Sequence, residues 1–127
     1  QYEYFYGAQA EQFSFYRIPK ALFTEPNFRE LSTDAKVLYG ILLDRMSLSL
    51  KNQWLDAQNK VYIIFTVDEI MDALNCANQK ATRLMVELEK QAGLIERKRQ
   101  GLGRPNLIYV KNFAATINGK SCEKGDS

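Results

Sequence analysis

A chain of 127 residues with 46% hydrophobic side chains is the size of one globular domain with a substantial core. No apolar run nears the roughly 18 residues of a membrane span, no leader-like pattern is present, and a chain with no histidine and no Cys-x-x-Cys pair is a poor zinc ligand. A soluble cytoplasmic protein with reduced thiols at Cys76 and Cys122, no metal and no cofactor is therefore expected. The net charge of +2 hides an asymmetry: residues 1–75 carry seven basic and ten acidic side chains, whereas residues 76–113 carry eight and three.

The first thirty residues are rich in aromatics, with Tyr2, Tyr4, Phe5, Tyr6, Phe13, Phe15 and Tyr16. Phe13 and Phe15 alternate as an extended strand would, and Pro19 opens a short helical turn. Ser32 is an N-cap for a first long helix in which Ala35, Leu38, Tyr39, Leu42, Leu43 and Met46 recur at helical spacing. From Ser47 to Lys60 the periodicity fails, which predicts a helix end and a loop carrying Trp54. Val61-Tyr-Ile-Ile-Phe65 reads as a buried strand leading into a second helix, Val67 to Leu74, whose Thr66-Val-Asp-Glu69 start is a capping box. After a turn at Asn75-Cys-Ala77, Asn78 is the predicted N-cap of a third helix from Gln79 to Ala92, with Ala81, Leu84, Met85, Leu88 and Ala92 inward. Gly93 stops it. Residues 94–100, 101–105 and 106–111 then read as strand, glycine-rich turn and strand.

The predicted fold is α+β: a winged helix-turn-helix with a three-helix core, a short strand and a C-terminal β-hairpin wing. Residues 1–12 form an aromatic extension, 13–113 the domain, and 114–127 a polar tail or the start of a linker, so the chain reads as part of a longer protein. Two helices across a short turn, followed by a basic hairpin, are the parts with which such domains grip DNA. A B-form major groove admits one helix, so Asn78, Gln79, Thr82 and Arg83 near the start of the third helix are the candidate base readers, with Lys80 serving phosphate. Lys98, Arg99 and Arg104 are the candidate phosphate or minor-groove contacts of the wing. Glu87 falls on the outer face, where it would repel phosphate, and receives no role from the sequence. Gly101-Leu-Gly103 lacks the third glycine and the following helix of a nucleotide loop. The carboxylates Asp68, Glu69 and Asp72 have no nucleophile, histidine or metal motif beside them, so no catalysis is expected.

Three blocks carry a family resemblance: Phe13-Ser-Phe-Tyr-Arg-Ile-Pro-Lys-Ala-Leu-Phe23, Leu31-Ser-Thr-Asp-Ala-Lys-Val-Leu-Tyr-Gly-Ile-Leu-Leu-Asp-Arg-Met46, and Gly93-Leu-Ile-Glu-Arg-Lys-Arg-Gln-Gly-Leu-Gly-Arg-Pro-Asn-Leu-Ile-Tyr-Val110. Over residues 13–113 the chain resembles the amino-terminal domain of RepA-type replication initiators of staphylococcal and related Gram-positive plasmids. That resemblance implies a winged-helix dimer on repeated sites at a plasmid origin, joined through a linker to a separate domain that engages host replication proteins. The alternatives are a winged-helix transcriptional regulator and a protein-binding winged-helix module. The abundance of aromatics at the amino terminus favours a homodimer held by that segment.

Overall fold

The computed structural model describes residues 1–7 and 12–114; Cys122 and most of the expected polar tail lie outside them. The Pro19 carbonyl accepts the Leu22 N–H at 3.1 Å and so starts the short helix α1 (Ala21–Thr24), after which Pro26 opens a single 3-10 turn over Pro26–Phe28. Their purpose in the packing is to bury Leu22 and Phe28, which sit in one hydrophobic cluster with Leu38, Ile63, Leu84 and Ile108.

Helix α2 (Thr33–Lys51) begins where the extended backbone of Ser32 lets its Oγ accept the Ala35 N–H at 3.2 Å. It runs past Met46, where the periodicity stops, to Lys51. The last turn stands beyond the core, with Leu48 and Leu50 exposed, so no inward stripe marks it in the sequence. It closes when Asn52 N–H reaches Leu48 O and Gln53 takes a left-handed φ of 58°. Before α2, the amino-terminal chain crosses the helix at Gly40, where a Cβ would lie 2.9 Å from the Arg17 carbonyl oxygen. The crossing therefore needs glycine.

Helix α3 (Val67–Leu74) starts with the expected reciprocal box: Glu69 N–H donates to Thr66 Oγ1 at 3.2 Å, and Thr66 N–H to Glu69 Oε1 at 3.0 Å. Asn75 in the left-handed conformation ends it. Helix α4 spans Asn78–Val86, so the predicted N-cap shifts by one residue: Ala77 is the extended residue and Asn78 is the first helical one. Beyond Val86 the helix widens into a π turn over Glu87–Gln91, in which Ala92 N–H donates to Glu87 O at 3.0 Å.

Strands β1 (Ile95–Lys98) and β2 (Leu107–Val110) pair antiparallel with Ile95 opposite Val110. The run 61–65 forms less of a strand than its composition indicates. Ile63 and Ile108 exchange both backbone hydrogen bonds at 2.9 Å, but this is a single bridge. The Leu55–Val61 bridge cuts the run short on one side and the capping box at Thr66 on the other. Two phenols lock the sheet to its surroundings. Tyr39 donates to the Lys111 carbonyl at 2.8 Å, its pKa pushed up to about 12 by burial, and Tyr109 donates to Asp56 at 3.1 Å.

Candidate nucleic-acid interface

Ala81, Leu84 and Met85 bury one face of α4 against α2 and α3, with Leu88 of the following turn continuing it, and this packing decides which side chains remain outside. Asn78, Gln79, Thr82 and Arg83 are all exposed, stacked at i and i+4 on one face at the start of the helix. Thr82 Oγ1 lies 3.5 Å from Asn78 Oδ1, a weak contact, while Gln79 and Arg83 have no side-chain partner among the described residues. These four are brought together as the sequence indicates.

Lys80 differs from them. Its Nζ lies 2.6 Å from Asp34 in the first turn of α2, so its charge is paired within the chain although the side chain is still 42% exposed. Glu87 turns away from the outer face as well. Its carboxylate accepts both the backbone N–H of Ser32 and, at 3.0 Å, the Ser32 hydroxyl. Sequence periodicity put Glu87 on the outer face, but α4 is regular to Val86 and Glu87 keeps helical backbone angles, so it lies on the Lys80 flank that meets the α2 amino terminus, a neighbour that periodicity does not reveal.

In the hairpin, the basic run Arg97-Lys98-Arg99 divides into one half-buried and two exposed side chains. Arg97 turns inward, where its Nη2 lies 2.7 Å from Glu89 and holds that carboxyl below its ordinary value through the hydrogen bonds it donates. Lys98, Arg99 and Arg104 are exposed, without a side-chain partner among the described residues. The turn between the strands has positive φ at Gly101 (127°) and Gly103 (76°), a conformation that favours glycine. Between those glycines stands Leu102, fully solvent-exposed, a residue the sequence reading passed over although its glycine neighbours marked it as a loop tip. Among the described residues no group of three or more His, Cys, Asp or Glu is placed to hold a metal ion, and no helix is long and apolar enough to cross a membrane.

A three-helix core in which the second and third helices meet across a tight turn, with a basic antiparallel hairpin directly after, is a winged helix-turn-helix. The chain belongs to the family of the replication initiator protein A (RepA) N-terminus, which matches residues 14–124. A 41 kDa protein of Lactobacillus helveticus is 33% identical over 103 residues, 81% of this chain but 28% of that relative, so the chain spans little more than a quarter of its length. Among solved structures, one described as the N-terminal domain of a DNA-binding protein has a TM-score of 0.72 and 35% identity, covering 100% of this chain and 98% of its own. A Rep–DNA complex has the same TM-score and identity, with 98% of each chain covered. An MDR initiator reaches 0.67 at 38% identity, covering 94% of this chain and 98% of its own.

Proposed function

We propose that this domain binds double-stranded DNA sequence-specifically at plasmid origin repeats, as the DNA-binding part of a longer replication initiator. The observation that carries the reading is the outer face of α4, where exposed amide, hydroxyl and guanidinium groups share one side of a helix beside a wing whose cations point outward. Asn78, Gln79, Thr82 and Arg83 would read base edges, and Lys98, Arg99 and Arg104 would hold the backbone or minor groove. The domain acts by binding alone, without catalysis or cofactor, in the cytoplasm where a plasmid resides. The greater length of the Lactobacillus helveticus relative supports a further domain for contact with host replication proteins. A purely protein-binding module has no use for this basic face, and a regulator would read a promoter rather than an origin. Selection of duplexes from a random pool tests both: the recovered sequence should match repeats in a plasmid replication region, and a match to promoters alone, or no selection at all, overturns the reading.

A homodimer through the amino-terminal segment is the second proposal. Tyr2, Tyr4, Phe5, Tyr6, Phe13, Phe15 and Tyr16 are between 52% and 91% exposed, so they do not fold back to complete the monomer core. An isologous pair would set two recognition helices about one DNA turn apart. Sedimentation of the whole chain at micromolar concentration should show a dimer that Phe5, Phe13 and Phe15 changed together to Ser converts to monomer. A monomeric native chain, or an equally dimeric variant, refutes it. Deleting everything before Ser32 would be a poor test, because Leu22, Phe28 and Leu31 belong to the core.

A further inference from the structure

Helix α2 starts with half of a capping box. Ser32 Oγ accepts the Ala35 N–H, but the residue that should return a carboxylate to the Ser32 N–H is Ala35 itself, buried and without an acceptor. The missing half comes from 55 residues away. Glu87 Oε2 accepts the Ser32 N–H and Glu87 Oε1 the Ser32 hydroxyl, placing a negative charge at the helix amino terminus, where the macrodipole favours it. At α3 the same job is done locally, by Glu69 for Thr66.

The source of that carboxylate matters. Glu87 follows directly on α4, at the first residue of its widened turn, and Lys80, seven residues earlier and so on the same flank, is paired with Asp34 in the first turn of α2. Two points, one near each end of α4, are thus held on one turn of α2. The exposed row Asn78, Gln79, Thr82 and Arg83 lies beside this flank, so rotation of α4 about its axis would carry every one of those side chains away from its base edge.

We propose that Glu87 is a positioning residue for base readout: by completing the cap of α2 it fixes the rotation of the recognition helix. This rests on the DNA-binding reading above. It also makes a prediction of opposite sign to plain electrostatics. A carboxylate that merely stood near DNA would repel phosphate, and its removal would tighten binding to every duplex. A positioning carboxylate supports the base contacts only, because phosphate contacts carry little sequence information.

The test compares the duplex recovered by selection with a scrambled duplex of equal composition, by fluorescence anisotropy at one salt concentration. Glu87→Ala should weaken binding to the selected duplex by about tenfold, the scale of one misaligned bidentate contact, and leave the scrambled duplex unchanged or slightly tighter. Ser32→Ala should lower the same ratio less, since the backbone N–H remains, and the double variant should be no worse than Glu87→Ala alone. Glu87→Gln, which keeps a carbonyl acceptor for the Ser32 N–H, should recover part of the ratio. An unchanged ratio in Glu87→Ala with a normal circular dichroism spectrum overturns the proposal, as does equal loss on both duplexes. If Glu87→Ala does not fold, an unchanged ratio in both Ser32→Ala and Glu87→Gln overturns it instead. Failure of the native chain to prefer any duplex is a distinct result, which overturns the DNA reading and this one with it.

Discussion

The outer face and the α2-facing flank of the recognition helix both carry polar and charged side chains and use them in opposite ways. On the outer face, Gln79 and Arg83 have no side-chain partner among the described residues, and Asn78 and Thr82 touch each other only weakly. On the flank, Lys80 and Glu87 are both taken up by the first turn of α2. Charge alone therefore does not mark an interface. The candidate contacts are the cations without a side-chain partner among the described residues, and within the basic hairpin the same distinction separates Arg97 from Lys98, Arg99 and Arg104.

The most drastic way to break the comparison is to remove what holds both faces in place. Leu84 is essentially fully buried on the inner face of α4, so Leu84→Ala should cost about 2–5 kcal/mol of stability and abolish the distinction between specific and scrambled DNA. Chemical denaturation followed by circular dichroism measures it, and a loss below about 1 kcal/mol would contradict this packing.

Next comes the outer face by itself. Arg83→Ala should leave the melting temperature unchanged and cost roughly 1–3 kcal/mol on the selected duplex, with relaxed preference at one base position. Equal weakening on scrambled DNA would remove Arg83 from base readout. A smaller effect sharpens the contrast between a spent and an unspent cation. Arg104→Ala should lower the slope of log affinity against log salt by about one, whereas Lys80→Ala, whose ammonium is already balanced by Asp34, should leave that slope unchanged. A slope lowered equally in both variants would show that the Lys80 charge is available to DNA after all.

The smallest effect lies in the hairpin. Hydrogen bonds from Arg97 hold the Glu89 carboxyl below its ordinary value of 4.5. A lowered folded pKa means that the pair stabilises the domain above about pH 4.5 and that this contribution disappears as pH falls through the folded value. Both side chains are about a quarter exposed, so the effect should stay below about 1 kcal/mol. Melting temperature measured against pH should fall less steeply on the acid side in Glu89→Gln than in the native chain.

Local signals were sufficient wherever neighbours in sequence are also partners in space. Thr66 and Glu69 announce α3 because both halves of its cap lie within one turn, and the stripe of Ala81, Leu84, Met85 and Leu88 announces α4 because one face of it is buried. The outer row of α4 follows from the same periodicity and the wing cations from the basic run beside the glycine-rich turn, so most of the candidate interface was legible in the sequence. Four features were not. The last turn of α2 buries little, and an unburied helix writes no pattern into the sequence. The single bridge at Ile63 depends on where β2 arrives, some forty-five residues later. The pairing of Lys80 with Asp34 joins two helices whose relative placement no local rule contains. Glu87 is the clearest case. Its periodic position put it on the outer face, and only the packing of α4 against α2, whose third helical residue Ala35 offers no capping carboxylate, brings it to Ser32. Helix caps and stripes are short-range and can be read along the chain, whereas the partner of a charge is chosen by packing among distant segments, which exists only once the chain has folded.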